Sequence, residues 1–254
     1  MGRSLYIGTY LGIPVKVHWS FGLILLLIAY IIYDEGFNVQ EGTALILYVF
    51  SLFFCVILHE YGHALAARRF DVGTEDIILS PIGGLARLHR IPENPRQELV
   101  IAIAGPLVNL VIALILVLVI LIVGQFDISP QESMTMLVHP IGFIQMVLLL
   151  NVVLFVFNLI PAFPMDGGRI LRAGLSLKLD RLKATRIASI TGRLISIVFM
   201  VVGVYYSHYA LIFIGLFVYI MAFKEYQYLK IKRMHEMQQA QRIDIGINPP
   251  QLEE

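Results

Sequence analysis

The sequence predicts an all-α polytopic membrane protein, with six transmembrane helices and a short membrane-surface β-hairpin between the second and the third. Hydrophobic residues occupy 58% of the 254 positions, charged residues only 15%, and the mean hydropathy is +0.78. A soluble domain carries about a quarter charged residues, so this composition indicates a lipid bilayer as the surroundings. The formal net charge of +1 gives no support to nucleic acid as a partner.

Six apolar runs approach the roughly 20 residues that a helix needs to cross a bilayer. The first run is the shortest, and we expect it to extend back through Val17. The last two runs are separated only by the short link SHY, so a tight hairpin and one long bent helix both remain open. The predicted spans are about 19–33, 44–67, 99–123, 141–160, 187–206 and 209–223.

The positive charges are segregated along these spans. The links DEGFNVQEG, GQFDISPQESMTMLVH and SHY contain no Lys or Arg, so all 19 of these residues fall on the other side: in the other links, at the ends of the chain and, for Arg193, in the first part of a span. Lys and Arg concentrate in the cytoplasmic loops of membrane proteins. We therefore predict a multi-pass integral membrane protein with both termini in the cytoplasm.

Two shorter segments complete the predicted organisation. The pieces DIILS and GLARLH flank the turn sequence SPIGG, which predicts the β-hairpin at about 76–89. The pattern YLKIKRMHEMQQAQR predicts an amphipathic interfacial helix, and we expect the polar end with its Pro-Pro pair to be disordered. The predicted division is a membrane domain, 1–223, with its catalytic core at about 44–175, and a cytoplasmic tail, 224–254.

The second span contains the stretch FCVILHEYGHALAA, in which His59, Glu60 and His63 interrupt an apolar run. Histidines four residues apart lie on one face of a helix. In the H-E-x-x-H arrangement two histidines bind zinc and the intervening glutamate is the general base. Ionisable groups inside a membrane are costly and usually functional, so the spacing predicts a Zn²⁺ site rather than two packed histidines.

A catalytic zinc needs a third protein ligand and one open position. The best candidate is Asp166, in NLIPAFPMDGGRI, which directly follows the fourth span. Because the second and fourth spans both run towards the cytoplasm, we expect Asp166 at the depth of His59 and His63, near the cytoplasmic side. Asp166 could instead cap a helix that begins at Gly167 or Gly168.

The sequences HEYGH and NLIPAFPMDGG, with GIPVKVHWSF and AGPLVNL, resemble the site-2 protease family of intramembrane zinc metalloproteases over about residues 12–223. The resemblance implies one Zn²⁺ held by His59, His63 and Asp166, with Glu60 as the general base. It also implies that Asn158 helps to stabilise the reaction intermediate or to bind substrate. The implied substrate is the transmembrane segment of another protein, cut by regulated intramembrane proteolysis.

Several alternatives stay open. Asn158, Asn109 and Asn151 could only make hydrogen bonds between helices. The hairpin could add a substrate strand to its edge, or could only seal the site from lipid. A metal-binding transporter and an inactive binding module are the competing functions, and Glu60 argues against both. We expect a compact form without the CBS or PDZ domains of other members, and the oligomeric state is left open.

Overall fold

Long apolar helices and one small sheet make up the residues that the computed structural model describes, which are 4–81, 83–90, 92–123 and 133–244. Of the end predicted to be disordered, 241–254, the first four residues are helical instead, and 245–254 lie outside the described residues. The chain divides into two units, Met1–Leu159 and Ile160–Glu254. The first contains β1 (Ser4–Tyr10), β2 (Ile13–His18), α1 (Phe21–Asp34), α2 (Val39–Arg68), β3 (Thr74–Ser80), β4 (Gly83–Leu88), α3 (Pro95–Val123), α4 (Ser133–Val138) and α5 (Pro140–Leu159). The second contains α6 (Asp166–Ser176), α7 (Arg181–Tyr205) and α8 (Tyr209–Asp244).

Among the described residues, five helices are long and apolar enough to cross a membrane: α2, α3, α5, α7 and α8. Their surfaces expose many large apolar side chains, such as Leu121, Ile122 and Phe213. Apolar surface of this extent is unusual on a soluble monomer, and it agrees with the predicted multi-pass membrane protein.

The first predicted span is shorter than expected. The 14 residues of α1 extend about 21 Å at 1.5 Å per residue, whereas the hydrocarbon core is about 30 Å thick. The expected extension back through Val17 is wrong, because Ile13–His18 forms a strand. Six crossings therefore stay a prediction.

The last two predicted spans form a tight hairpin of separate helices. Helix α7 ends at Tyr205, and Ser207 has a φ of 56°, while the amide of His208 donates to the carbonyl of Gly203 at 2.8 Å. A left-handed residue with such a bond is a common helix ending. Helix α8 then continues to Asp244, through the predicted boundary at 223. The division into a membrane domain and a tail remains a prediction.

The sheet has four strands in the order β1-β2-β3-β4. Strands β3 and β4 pair antiparallel and begin at Thr74, two residues before the predicted hairpin at about 76–89, and β1 and β2 form a second antiparallel hairpin that the sequence did not predict. Strands β2 and β3 are parallel, with Val15 opposite Ile77. The first hairpin turns at Leu11 and Gly12, whose φ angles are 51° and 78°. Two positive φ values are the mark of a type I′ turn, and Leu is an unusual residue at the first of them.

One face of the sheet packs against α2. Ile13, Val15 and Ile77 from the strands are buried together with Tyr61 and Ala64 from the helix. The Tyr61 hydroxyl also donates to the carbonyl oxygen of Tyr10 at 3.0 Å, beside the turn of the first hairpin. The sheet is thus fixed to the turn of α2 that carries the H-E-x-x-H motif.

A buried carboxylate joins three of the strands. Asp76 on β3 is fully buried, and it accepts hydrogen bonds from Lys16 Nζ on β2 and from Arg87 Nε on β4, both at 2.6 Å. The hydrogen bond from Arg87 is the main reason why the pKa of Asp76 lies below its ordinary value. Removing one member of a buried ion pair leaves the charge of its partner without compensation.

We expect Asp76→Asn to loosen the sheet by about 1–3 kcal/mol, below the full buried-pair cost because Lys16 and Arg87 are partly exposed. Because the folded pKa is lowered, the carboxylate stabilises the native state above its unfolded pKa of about 3.9. That contribution disappears as the pH falls through the folded pKa. Hydrogen exchange of the β2–β4 amides should show faster opening in the variant at pH 7. Exchange in the variant as slow as in the wild type at pH 7 would contradict this prediction. So would a loss of stability at acid pH that is the same in the variant and the wild type.

Candidate metal centre

Helix α2 carries the two histidines one turn apart. It begins with a capping box, in which the Asn38 side chain accepts from the amides of Gln40 and Glu41 and the Glu41 side chain accepts from the amide of Asn38. The helix then continues without a break through the motif. His59 and His63 lie on one face and are only 6% and 4% exposed, so both imidazoles are withdrawn from the surroundings.

Helix α3 lies in close contact with this face. A Cβ atom on Gly62 would come within 2.7 Å of the carbonyl oxygen of Ala104. A Cβ on Gly105 would lie 2.2 Å from His63 Nε2 and 2.8 Å from His59 Nε2. Small residues let helix backbones approach closely in membranes. Gly105 therefore leaves a space beside both Nε2 atoms that any larger residue would fill.

Each imidazole is held through its Nδ1 atom. His63 Nδ1 lies 2.7 Å from the carbonyl oxygen of Ile101, and His59 Nδ1 lies 2.6 Å from Asn109 Oδ1. Both oxygens can only accept, so in neutral imidazoles each Nδ1 carries the proton. Each Nε2 then presents a lone pair, which is the form of histidine that binds a metal ion.

The two Nε2 atoms are 3.1 Å apart. Zinc binds histidine nitrogen at about 2.0–2.1 Å with tetrahedral geometry, so two such ligands lie about 3.3 Å apart. Two lone pairs at this separation repel each other unless a positive charge lies between them. The distance, the tautomers and the space at Gly105 all fit a zinc ion.

Glu60 lies between the histidines in sequence and contacts the edge strand of the sheet. Its Oε2 accepts a hydrogen bond from the backbone amide of Ala86 at 2.8 Å. A Cβ on Gly84 would lie 2.7 Å from Glu60 Cγ, so the carboxylate rests directly on β4. Strand β4 is the last strand of the sheet and pairs with β3 along one edge. Its outer edge holds the Glu60 carboxylate in place.

In the second unit, Asp166 is the first residue of α6 and is 6% exposed. Met165 occupies the cap position, so the alternative in which Asp166 caps a helix at Gly167 or Gly168 does not describe this helix. The segment before it is packed tightly, because a Cβ on Gly168 would lie 2.7 Å from the amide nitrogen of Phe163.

Buried Arg172 stabilises the surroundings of Asp166 within this unit. Its Nη1 donates to Glu225 Oε1 on α8 at 2.5 Å, and its guanidinium lies 5.1 Å from the centre of the Phe163 ring. A cation over an aromatic face is attracted by the ring electrons. The segment before Asp166 is thus attached to both α6 and α8.

The structure places the other predicted polar residues as follows. Asn158 lies on the last turn of α5, where its Nδ2 donates to the carbonyl of Leu154 at 3.0 Å. Asn109 and Asn151 are fully buried, and Asn109 contacts His59 directly. Gly105 lies within AGPLVNL, where spacing alone assigns it no role. The carbonyl of Ile101 and the amide of Ala86 could not be predicted either, since backbone groups leave no signal in a sequence.

Comparisons with known proteins identify the family of the chain. The model of Peptidase family M50 matches residues 47–203. Zinc metalloprotease MJ0392 of Methanocaldococcus jannaschii is 38% identical over 234 residues, which are 91% of this chain and 63% of that protein. Stage IV sporulation protein FB of Bacillus subtilis is 28% identical over 137 residues, 54% of this chain and 43% of that protein. The chain thus spans less than two thirds of each relative.

A solved structure gives the same result at the level of the fold. The site-2 protease from Methanocaldococcus jannaschii matches with a TM-score of 0.62 and 38% identity, over 88% of this chain and 95% of that chain. The family model covers the H-E-x-x-H motif, helix α3 and the Asp166 segment together. The chain belongs to Peptidase family M50, the site-2 protease family.

Proposed function

We propose that the chain is an intramembrane zinc metalloprotease, which hydrolyses peptide bonds within or near transmembrane segments of membrane protein substrates. The observation that carries the proposal is the pair of buried histidines, both held through Nδ1 and facing each other through Nε2, with Glu60 between them on the same helix. A relative named as a zinc metalloprotease supports the choice of metal and of reaction.

His59, His63 and Asp166 would hold one Zn²⁺. Two imidazoles with one carboxylate are a typical donor set for catalytic zinc. Asp166 also stands in the N-x-x-P-x-x-x-x-D-G pattern on which the family resemblance rests.

When bound, zinc supplies a Lewis acid that lowers the pKa of water towards about 7 and polarises a carbonyl. Glu60 takes the proton of the attacking water and passes it to the leaving amide nitrogen. The Ala86 amide holds Glu60 Oε2, so Oε1 is the oxygen to which we assign the transferred proton. Asn158 is assigned to the developing oxyanion or to the substrate backbone, by family resemblance.

The substrate needs an unwound backbone, because helical carbonyls are already paired. We assign the outer edge of β4 to it, by addition of a strand. This edge lies beside Glu60 and ends the sheet, so a strand added there would pass next to the general base. The membrane placement is part of the proposal: six crossings, both termini in the cytoplasm and the site near the cytoplasmic side, supported by the segregation of Lys and Arg.

The charge on Glu60 gives the first test. We expect Glu60→Gln to reduce cleavage of a transmembrane-segment substrate in detergent by at least about 10²–10⁴-fold, because the general base is lost. Zinc content should stay at the wild-type level, since the histidines are unchanged. Glu41→Gln on the same helix is the matched control, because Gln also completes a capping box. Wild-type cleavage by Glu60→Gln, or metal transport that survives the change, would overturn the protease proposal.

The space at Gly105 gives the second test. A methyl group there would lie 2.2 Å from His63 Nε2, so we expect Gly105→Ala to weaken zinc binding by more than about 100-fold, beyond the usual outer-shell effect. The methyl group also forces the buried imidazoles to shift, which costs about 1–3 kcal/mol, and the greater helix propensity of Ala offsets about 1 kcal/mol of this cost. Chelator competition and thermal unfolding measure the two effects.

The matched control for this test is Gly174→Ala in α6, where an added Cβ meets open space. It makes the same helical change without approaching a histidine, so zinc binding should stay at the wild-type level. Equal zinc affinity in Gly105→Ala and Gly174→Ala would show that the metal does not lie between the two Nε2 atoms.

The Ala86 amide gives the third test. Proline removes a backbone donor and is tolerated on sheet edges, and this amide points to Glu60 rather than to β3. We expect Ala86→Pro to lower the cleavage rate by about 10–100-fold, the value of a hydrogen bond to a charged group, with unchanged zinc content. Ala86→Val keeps the amide and should retain activity. Similar rates for the two variants would show that the amide does not position Glu60.

A further inference from the structure

The His59 imidazole is linked by hydrogen bonds to a chain of two buried side-chain amides, which connects helices α2, α3 and α5. Asn109 Oδ1 on α3 lies 2.6 Å from His59 Nδ1, and Asn109 Nδ2 donates to Asn151 Oδ1 on α5 at 3.0 Å. Asn151 Nδ2 donates to the carbonyl of Val147 at 2.9 Å and to Cys55 Sγ on α2 at 3.3 Å. Both asparagines are completely buried, so each amide depends on this chain for its partners.

The direction of every bond in the chain follows from its last acceptor. The backbone carbonyl of Val147 can only accept, so Asn151 must turn its amino group towards it. Asn151 then presents its oxygen to Asn109, which must donate with its own amino group. The oxygen of Asn109 is left facing His59, and it can only accept the proton on Nδ1. A fixed backbone group thus selects one tautomer of His59, three hydrogen bonds away.

We propose that Asn109 and Asn151 are positioning residues that fix the tautomer and ring orientation of His59 for metal binding. The inference rests on the proposed zinc site and extends it beyond the ligands. Reversing either amide would place two oxygens or two amino groups face to face in a buried site, at the cost of unsatisfied polar groups. The reversed tautomer of His59, with the proton on Nε2, is therefore suppressed before any metal arrives.

The two histidines differ in how they are held. His63 donates to a backbone carbonyl, that of Ile101, which no side-chain substitution removes. His59 Nδ1 meets a side-chain oxygen, that of Asn109. Substituting Asn109 or Asn151 should therefore disturb His59 and leave His63 in place. Metal binding should become weaker and its geometry should be distorted, but binding should not be abolished.

A purely structural role predicts a different result. If the two asparagines only join α3 to α5, their replacement should lower the thermal stability of the protein and leave the metal site unchanged. The positioning role predicts a change in metal affinity and in the ligand field. It also predicts rescue by Asn109→Asp, because a carboxylate accepts from Nδ1–H as the amide oxygen does.

The experiment uses the full chain in detergent, with zinc affinity measured by chelator competition and cobalt replacing zinc as a spectroscopic probe. We expect Asn109→Leu to bind zinc about 10–100-fold more weakly, as for other outer-shell losses, with an altered Co²⁺ absorption spectrum. Asn109→Asp should lose less zinc affinity than Asn109→Leu, since it retains the acceptor for Nδ1–H, although its second oxygen faces Asn151 Oδ1. Asn151→Leu should fall between them, because Asn109 keeps its acceptor but loses its fixed direction.

Ser189→Ala is the control for losing a buried hydrogen bond, because its hydroxyl donates to the carbonyl of Ala222 at 2.6 Å within the second unit. It should lower stability and leave zinc affinity and the cobalt spectrum unchanged. Wild-type affinity and spectrum in folded Asn109→Leu would overturn the positioning role, as would equal losses in Asn109→Leu and Asn109→Asp. If Asn109→Leu does not fold, Asn151→Leu is compared with Ser189→Ala instead. Wild-type zinc affinity and cobalt spectrum in both variants would overturn the positioning role. Absence of zinc binding by the wild type would overturn the proposed function itself.

Discussion

The close approach of α3 to the histidine face of α2 is the constraint on which the site depends. Two imidazoles buried in apolar surroundings need acceptors for both Nδ1 protons, and α3 supplies them through Ile101 and Asn109. Neither contact would form if Gly62 and Gly105 carried side chains, since a Cβ on either would meet the facing helix or the imidazoles. Two missing methyl groups thus allow both the packing of the helices and the space for a metal.

The sheet packs against the same turn of α2 from another side. Tyr61 and Ala64 are buried against β2 and β3, while Glu60 reaches the outer edge of β4. The Lys16–Asp76–Arg87 cluster ties three strands together, so the position of the β4 edge is coupled to the whole sheet. The Glu60 carboxylate thereby receives an amide donor from a strand. A helix in its intact region cannot offer such a donor, because its amides are already paired.

The sequence predicted the features that depend on local spacing. Histidines at i and i+4 share a helix face in any helix, and the apolar runs located α2, α3, α5, α7 and the start of α8 correctly. It could not predict contacts that depend on how elements meet. The first hairpin was missed because its turn uses Leu11 at a positive φ, where Asn or Gly would have been a signal. The role of Gly105 depends on the crossing of two helices, and the partners of Glu60 and His63 are backbone groups.

The two histidines are held by different kinds of acceptor on α3. His63 Nδ1 meets the backbone carbonyl of Ile101, whose direction is fixed by the helix itself. About two turns further along α3, Asn109 supplies a side-chain oxygen to His59 instead. A side-chain acceptor has to be oriented by its own neighbours, and Asn151 with the carbonyl of Val147 does this for Asn109.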